Sequence, residues 1–480
     1  MASRDSARPN LLCILSDDQG HWAMGCAGNR ELRTPHLDRL AASGVRLENL
    51  FCVSPVCSPA RASLLTGRIP SQHGVHDWIR AGDTPDVREE PDGHGRVIEY
   101  LAGVPGYTDL LAAAGYRCGL SGKWHLGDVH HPQKGFTYWN VHAKGGGPYY
   151  QAPMVRGDAV VAAAGYVTDV ITDNALDFLT HDALSDSAPF CLAVHYTAPH
   201  SPWQRAHHPA ELWDSYHDRC GFASVPDGLT PPSWVQRLSI PVKDAETRRV
   251  YLSGYYAAVT AMDTGIGRLL DWLDCHGLRE NTLVFFTGDN GMSMGHHGLY
   301  GKGNATFPLN LFDSAVKVPG ILSRPGALPA GQVCTELLSH YDVLPTLADY
   351  LHLPMAGLGD LPGRSFAARL RGQPPVDRGE VVVLDEYGPV RMIRTVDWKY
   401  VHRYPYGPNE LYHLSEDPDE TVNRADQPDT RALQAALQRR LEEWFQRYVD
   451  PARDGLREAV TGNGQLDLAG PAAATWPRFA

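Results

Sequence analysis

The sequence predicts an α/β fold. A large, mixed, mostly parallel sheet flanked by helices is expected over residues 1–370, and a smaller C-terminal α+β subdomain with an antiparallel sheet over 371–480. Three observations predict it. Asn10 to Ser16, Phe190 to His195 and Asn281 to Thr287 are continuous apolar runs, the pattern of strands buried on both faces of a parallel sheet. Segments with helical spacing lie between them. Past a Gly- and Pro-rich linker, Pro354 to Pro375, the pattern changes to short strand-like runs.

Taken in order, the first strand closes in Asp17-Asp18-Gln19-Gly20. Thr34 is placed to cap a helix whose first turn accepts Pro35 and which Gly44 ends. Pro59 bars a strand and suits a first helical turn, so Ala60 to Leu65 reads as a helix with Cys57 at its N-terminal entrance. Thr108 to Ala114 is a helix closed by Gly115, and Tyr116 to Leu120 a short strand. Residues 129–156 read as a long loop, and Thr168 to Leu179 as a helix. Residues 204–243, with Pro226, Pro231, Pro232 and Pro241, read as an irregular insertion or lid. Ala245 to His276 is a long amphipathic helix, with Tyr255, Val259, Met262 and Ile266 among its core positions. Leu338 to Leu351 is the last helix of the large unit. Val381 to Leu384, Val390 to Val396, Trp398 to Arg403 and Glu410 to Tyr412 form the small sheet, on which Thr430 to Tyr448 packs.

Of 480 residues, 43% are hydrophobic and 20% charged, which places the chain among globular proteins. The net charge of -12 argues against general nucleic-acid binding and means that an anionic substrate needs a local positive cluster. Met1 to Asn10 is polar, and the apolar run Leu11 to Leu15 is too short for a signal-peptide core or a membrane span. The expected location is therefore cytoplasmic, with no membrane contact. Nine cysteines without a CxxC pair fit reduced thiols.

Two acid clusters follow predicted strands. Asp17, Asp18, Asp289 and Asn290 offer only oxygen ligands, a set that suits Ca²⁺ or Mg²⁺ and disfavours Zn²⁺. Adjacent acids are costly to bury unless a cation compensates. The alternatives are a solvated loop for Asp17-Asp18 and a plain turn for Asp289-Asn290. Cys57 has three meanings: a buried structural thiol, a metal-ligand thiolate or a nucleophile position. A helix N-terminus and Arg61 one turn on favour an anion beside it.

Cys57-x-Pro59-x-Arg61, followed by Leu64-x-Thr66-Gly67-Arg68, resembles the signature of the type I sulfatases of the alkaline phosphatase superfamily. The resemblance extends to Asp17-Asp18, Gly122-Lys123-Trp124-His125-Leu126-Gly127, Ala198-Pro199-His200, Asp289-Asn290 and Lys302. It implies an alkaline-phosphatase-like fold and a separate formylglycine-generating enzyme that oxidises Cys57. The hydrated aldehyde is then the nucleophile, beside a Ca²⁺ held by Asp17, Asp18, Asp289, Asn290 and residue 57, with Mg²⁺ as an alternative ion. Lys123 and Lys302 would bind sulfate, Arg61 would add a fixed cation, and His125 would contact the formylglycine hydroxyls. His200 would contact sulfate and protonate the leaving oxygen.

The expected activity is hydrolysis of a sulfate ester. A sulfated carbohydrate is favoured because loops 129–156 and 204–243 can build a sugar pocket, with an aryl sulfate as the other class. The rivals are a phosphonate monoester or phosphodiester hydrolase on the same fold and a non-catalytic binding protein. His73, His76, His195, Trp203, Tyr387, Arg391 and Tyr404 to Tyr406 are secondary candidates for the pocket wall, and His296-His297 reads as solvated. Gly303 to Pro308 departs from the commoner family pattern.

Overall fold

A computed structural model describes residues 8–85, 95–184, 187–376, 378–387, 389–472 and 477–480. Most of the polar N-terminal stretch lies outside the described residues. Asn10–Ser16 sits in the middle of an eleven-stranded sheet. It pairs in parallel with Phe190–His195 on one side and Thr282–Gly288 on the other. The parallel block continues through Arg117–Lys123 to Tyr138–His142. Antiparallel strands extend both ends: Gly320–Ser323 beside Thr282–Gly288, and Pro153–Arg156 with Ala159–Ala162 beyond Tyr138–His142. Val45–Phe51 follows Gly320–Ser323 and pairs in parallel with Gln332–Ser339.

Side chains alternate across the sheet, so each central strand feeds two cores. Leu11, Cys13 and Leu15 face one layer with Leu64, Leu111 and Leu344 from the helices Cys57–Thr66, Tyr107–Ala113 and Val343–Tyr350. Leu12 and Ile14 face the other, with Leu37, Ile171 and Ile266 from Pro35–Ala42, Val167–His181 and Ala245–Cys275. Each fully buried leucine or isoleucine contributes about 1.5–3 kcal/mol. The C-terminal sheet is a simple antiparallel meander of Val381–Asp385, Val390–Arg394, Trp398–Arg403 and Glu410–His413. Leu437, Leu441 and Phe445 of Arg431–Tyr448 pack on it.

The structure differs from the sequence reading in places. The expected loop 129–156 contains strands because the edge of Arg117–Lys123 supplies hydrogen bonds that its own pattern does not announce. Leu338 belongs to a strand, and the helix expected from it begins only at Val343; a short apolar run fits either state. Thr34 accepts the Gly25 N–H at 2.8 Å instead of capping its helix. His296 and His297 are packed against Trp22 and Phe312 rather than solvated. Among the described residues no helix is long and apolar enough to cross a membrane.

Candidate active site

The parallel strands deliver four polar clusters to one edge, the carboxyl edge where such sheets bind ligands. Asp17 and Asp18 follow Asn10–Ser16, Asp289 and Asn290 follow Thr282–Gly288, Lys123 ends its strand, and His200 lies just past Phe190–His195. One carboxylate oxygen from each of Asp17, Asp18 and Asp289 lies within 4.8 Å of the others. Asp18 holds a left-handed backbone, φ 62°, which is uncommon for a residue with a side chain. Its N–H donates to Asp289 Oδ1 at 3.0 Å, and Asn290 Nδ2 donates to Asp18 Oδ1 at 2.9 Å. The two acid clusters, 271 residues apart for that first bond, are thus tied directly together.

Cys57 opens the helix Cys57–Thr66 and points its sulfur at this cluster. Sγ is 3.4 Å from Asp17 Oδ1, 3.8 Å from Asp18 Oδ1 and 2.6 Å from Lys302 Nζ. The same ammonium is 2.6 Å from Asp18 Oδ1. Lys123 Nζ donates to Asp17 Oδ2 at 2.6 Å, and Arg61 Nε to Asp289 Oδ2 at 3.0 Å. Arg61 also donates through Nη1 to Lys123 O at 3.0 Å, so one guanidinium joins two of the strand ends. His200 Nε2 is 3.6 Å from Asp18 Oδ2, and His200 Nδ1 donates to Ser201 O.

The electrostatics follow from burial and from this pairing. Burial alone would raise Asp18 and Asp289; Lys302 with His200, and Arg61 with Lys123, outweigh it and hold both carboxyls below the usual range. Burial, aided by Asp17 and Asp18, pushes the Cys57 thiol up to about 12 against the pull of Lys123 and Lys302, so the sulfur is protonated at neutral pH. Burial, then Lys123 and Arg61, holds His125 far below the ordinary imidazole value, so its ring is neutral. Its Nε2 donates to Ile79 O at 3.0 Å, which leaves Nδ1 as the acceptor, buried and without a hydrogen-bond partner among the described residues.

A cavity of about 400 Å³ opens over these groups. Cys57, His125, His200 and Lys302 lie in its wall. Sequence reasoning did not single out Val56, Trp78, Ile79, Arg80 or Asp83, which complete that wall with Lys144 of the 129–156 stretch and Asn304 of the Gly303 to Pro308 stretch. Gly145 and Gly146, a glycine tract in the 129–156 stretch expected to shape a sugar pocket, also line it. A Cβ on Gly145 would stand 2.2 Å from His125 Nε2, and one on Gly146 3.0 Å from His200, so the tract presses against both histidines.

The structure does not bring every candidate to the cavity. None of its lining residues comes from 204–243. His73 bonds Ser63 and the Val75 N–H, and His76 is buried away from the wall. His195 donates to Lys123 O and lines a small apolar void beside Arg61. Trp203 is buried against Tyr251 and Tyr255. Tyr387 bonds Arg237, Arg391 lies over the Phe445 ring, and Tyr406 is exposed. None of the nine cysteines is in a disulfide.

Sheet topology and the charged carboxyl edge define an alkaline-phosphatase-like hydrolase. Residues 9–353 match the Sulfatase family model, and residues 295–447 match the one described as N-sulphoglucosamine sulphohydrolase, C-terminal. The chain belongs to the sulfatase family, whose named members hydrolyse sulfuric esters. Among curated relatives, N-acetylglucosamine-6-O-sulfatase of Bacteroides thetaiotaomicron is 27% identical over 97% of this chain and 91% of its own. Choline-sulfatase of Rhizobium meliloti is 27% identical over 93% of this chain and 89% of its own. A solved structure in complex with its substrate D-glucosamine-2-N,6-O-disulfate superposes with a TM-score of 0.74 at 25% identity, covering 94% of this chain and all of the other.

Proposed function

We propose that the chain hydrolyses a sulfate ester of a saccharide, with a formylglycine made from Cys57 and a bound Ca²⁺. The observation that carries this reading is the convergence of Asp17, Asp18, Asp289 and Asn290 on one another, with Cys57 against Asp17 and Asp18. The residues fit a cation. Asn290 Oδ1 is buried with no hydrogen-bond partner among the described residues, and three carboxylates crowd around the same point. All-oxygen donors select a hard ion, Ca²⁺ or Mg²⁺. Asp17, Asp18, Asp289 and Asn290, with residue 57, would hold it, and it would supply Lewis acidity toward a sulfuryl oxygen and toward a hydroxyl.

A thiol held protonated to about pH 12 is a poor nucleophile, which supports conversion of Cys57. Formylglycine at position 57 would supply, as its hydrate, a nucleophilic hydroxyl and a second ionisable hydroxyl on the same carbon, which a serine or a thiol would not. The chain's residues do the rest. Lys123 and Lys302, both within 2.6 Å of carboxylates that fix them, present ammonium groups to sulfuryl oxygens. Arg61 holds Asp289 and the end of the Lys123 strand in place. His200, its Nδ1 proton on Ser201 O, turns Nε2 toward the cluster, where the imidazolium form, with a second proton on Nε2, can pass that proton to the leaving oxygen. Neutral His125 offers Nδ1 as an acceptor for a hydroxyl proton. Cys57 to Arg61 are all buried, so the maturing enzyme must reach Cys57 before the chain folds.

The cavity argues for an anionic sugar over a choline ester. Among the described residues, Arg80, Lys144 and Lys302 outnumber its one carboxylate, Asp83, and a single indole, Trp78, makes no aromatic cage for a quaternary ammonium. The test combines peptide mass spectrometry across residues 57–61, after co-expression with a formylglycine-generating enzyme, with turnover of 6-O-sulfated N-acetylglucosamine, an aryl sulfate and an aryl phosphonate. Conversion with faster turnover of the sulfated sugar is expected. Unconverted Cys57 despite the maturase, or preference for the phosphonate, overturns the reading.

A further inference from the structure

The cavity wall Trp78-Ile79-Arg80 is held by a residue from the far end of the chain. Gln465 is fully buried and pairs in parallel with Ile79. Its N–H donates to Trp78 O at 2.8 Å, and its carbonyl accepts from Arg80 N at 2.9 Å. Its side-chain oxygen accepts from His76 N at 2.9 Å, and its Nε2 donates to Gly74 O and to Asp467 O, both at 2.9 Å. Every polar atom of Gln465 is therefore engaged, and all but one of these partners lie in residues 74–80. Such a saturated buried network fixes one geometry.

That segment is one atom away from the candidate chemistry. Ile79 O accepts the His125 Nε2 proton at 3.0 Å, and Ile79 N donates to Ser58 Oγ, which itself donates to His125 O. Ser58 is the neighbour of Cys57. The Ile79 carbonyl thus sets which His125 nitrogen carries the proton and where the ring lies. We infer that Gln465 is a positioning residue of the active site, acting through Ile79 on His125. This inference rests on the assignment of His125 to the sulfatase reaction.

The test uses the full-length protein. Gln465→Met keeps the volume and removes the side-chain hydrogen bonds; Gln465→Glu keeps the acceptor half. Amide hydrogen exchange over residues 74–82 is read on unconverted protein, and kcat and KM for 4-nitrophenyl sulfate on converted protein. This small probe does not fill a sugar subsite, so loss of positioning shows in kcat. For Gln465→Met, faster exchange confined to 74–82 is expected, with kcat lowered about tenfold to a hundredfold, KM within about threefold, and Gln465→Glu between it and wild type. Unchanged exchange and wild-type kcat overturn the inference, as does a loss of kcat accompanied by faster exchange throughout the central sheet. Should Gln465→Met not fold, Gly464→Ala serves: its methyl would meet Arg80 Cβ at 2.6 Å, and the same kcat loss is expected, whereas wild-type kcat overturns. Absence of turnover of both 4-nitrophenyl sulfate and 6-O-sulfated N-acetylglucosamine by converted wild type would overturn the sulfatase reading on which the inference rests, whereas unchanged exchange over 74–82 in Gln465→Met would overturn the positioning role by itself.

Discussion

Lys302 Nζ stands 2.6 Å from Cys57 Sγ and 2.6 Å from Asp18 Oδ1. One ammonium therefore touches both the residue assigned as nucleophile precursor and a carboxylate of the assigned cation site. Burial alone would lower its pKa, but Asp18, with Asp17 and Asp289 behind it, pushes it well up, so it stays charged. Replacing it with alanine leaves Asp18 short of a partner and, on the proposed function, takes a cation away from the sulfuryl oxygens. Lys302→Ala is expected to lower kcat/KM for a sulfate ester by about two to three orders of magnitude. Loss of less than about fivefold in steady-state kinetics would show that Lys302 does not face the sulfate.

Asn290 Oδ1 has no hydrogen-bond partner among the described residues, although it is buried. If it ligates Ca²⁺, Asn290→Ala should weaken calcium binding about ten- to a hundredfold. It should also reduce the rise in melting temperature that excess Ca²⁺ gives the wild type. Calorimetric titration of both proteins checks this, and equal affinities would remove Asn290 from the ligand set.

Gly145 fills a place where only a hydrogen fits, with its missing Cβ 2.2 Å from His125 Nε2. Gly145→Ala must displace the His125 ring or the glycine tract. A drop in kcat of about tenfold or more is expected with little change in melting temperature. Wild-type kcat in this variant would mean that the position of His125 does not limit turnover.

Stability should fall on mild acidification. Burial holds His76 and His142 down to about 4, and His195 and His340 to about 3, from an ordinary value of about 6.5. A lowered imidazole favours the fold above the unfolded value and loses that contribution as pH falls through the folded one, so the window runs from pH 6.5 down to about 4 for His76 and His142 and to about 3 for His195 and His340. Over its whole window each contributes on the order of 3 to 5 kcal/mol. Burial raises Asp77 to about 6, Asp263 and Glu420 to about 7, and Asp342, Asp385 and Glu386 as well, and these act in the opposite sense. They are fewer than the buried histidines, which also include His21, His73, His125, His208, His296 and His297. Urea unfolding at pH 7.5 and 5.0 should give a lower free energy at 5.0; an equal or higher value would contradict the burial argument.

Much of the site was legible in the sequence because its parts are local. Asp17-Asp18, Cys57 to Arg61, Lys123 to His125 and Asp289-Asn290 are each contiguous; Asp17-Asp18 and Asp289-Asn290 follow apolar runs that announce buried strands, and Lys123 to His125 follows the short strand predicted at Tyr116 to Leu120. The parallel order of the sheet then brings the strand-end clusters to one edge without further instruction. What was not legible depends on distant partners. Tyr138–His142 becomes a strand through its pairing with Gly119 to Lys123. Trp78 and Arg80 reach the cavity because Gln465 pairs with the residue between them, Ile79, and no local pattern encodes that bond. The insertion 204–243 shows the opposite error: its composition suited a lid, yet its aromatic side chains, Trp213, Tyr216 and Phe222, build a core against Tyr255 and Tyr256 away from the cavity.

The most direct test is sulfate release by converted protein before chelation, after exhaustive removal of divalent ions, and after Ca²⁺ is returned. Turnover should vanish on removal and come back with Ca²⁺. Undiminished turnover by the stripped protein would contradict the assignment of Asp17, Asp18, Asp289 and Asn290 as a cation site.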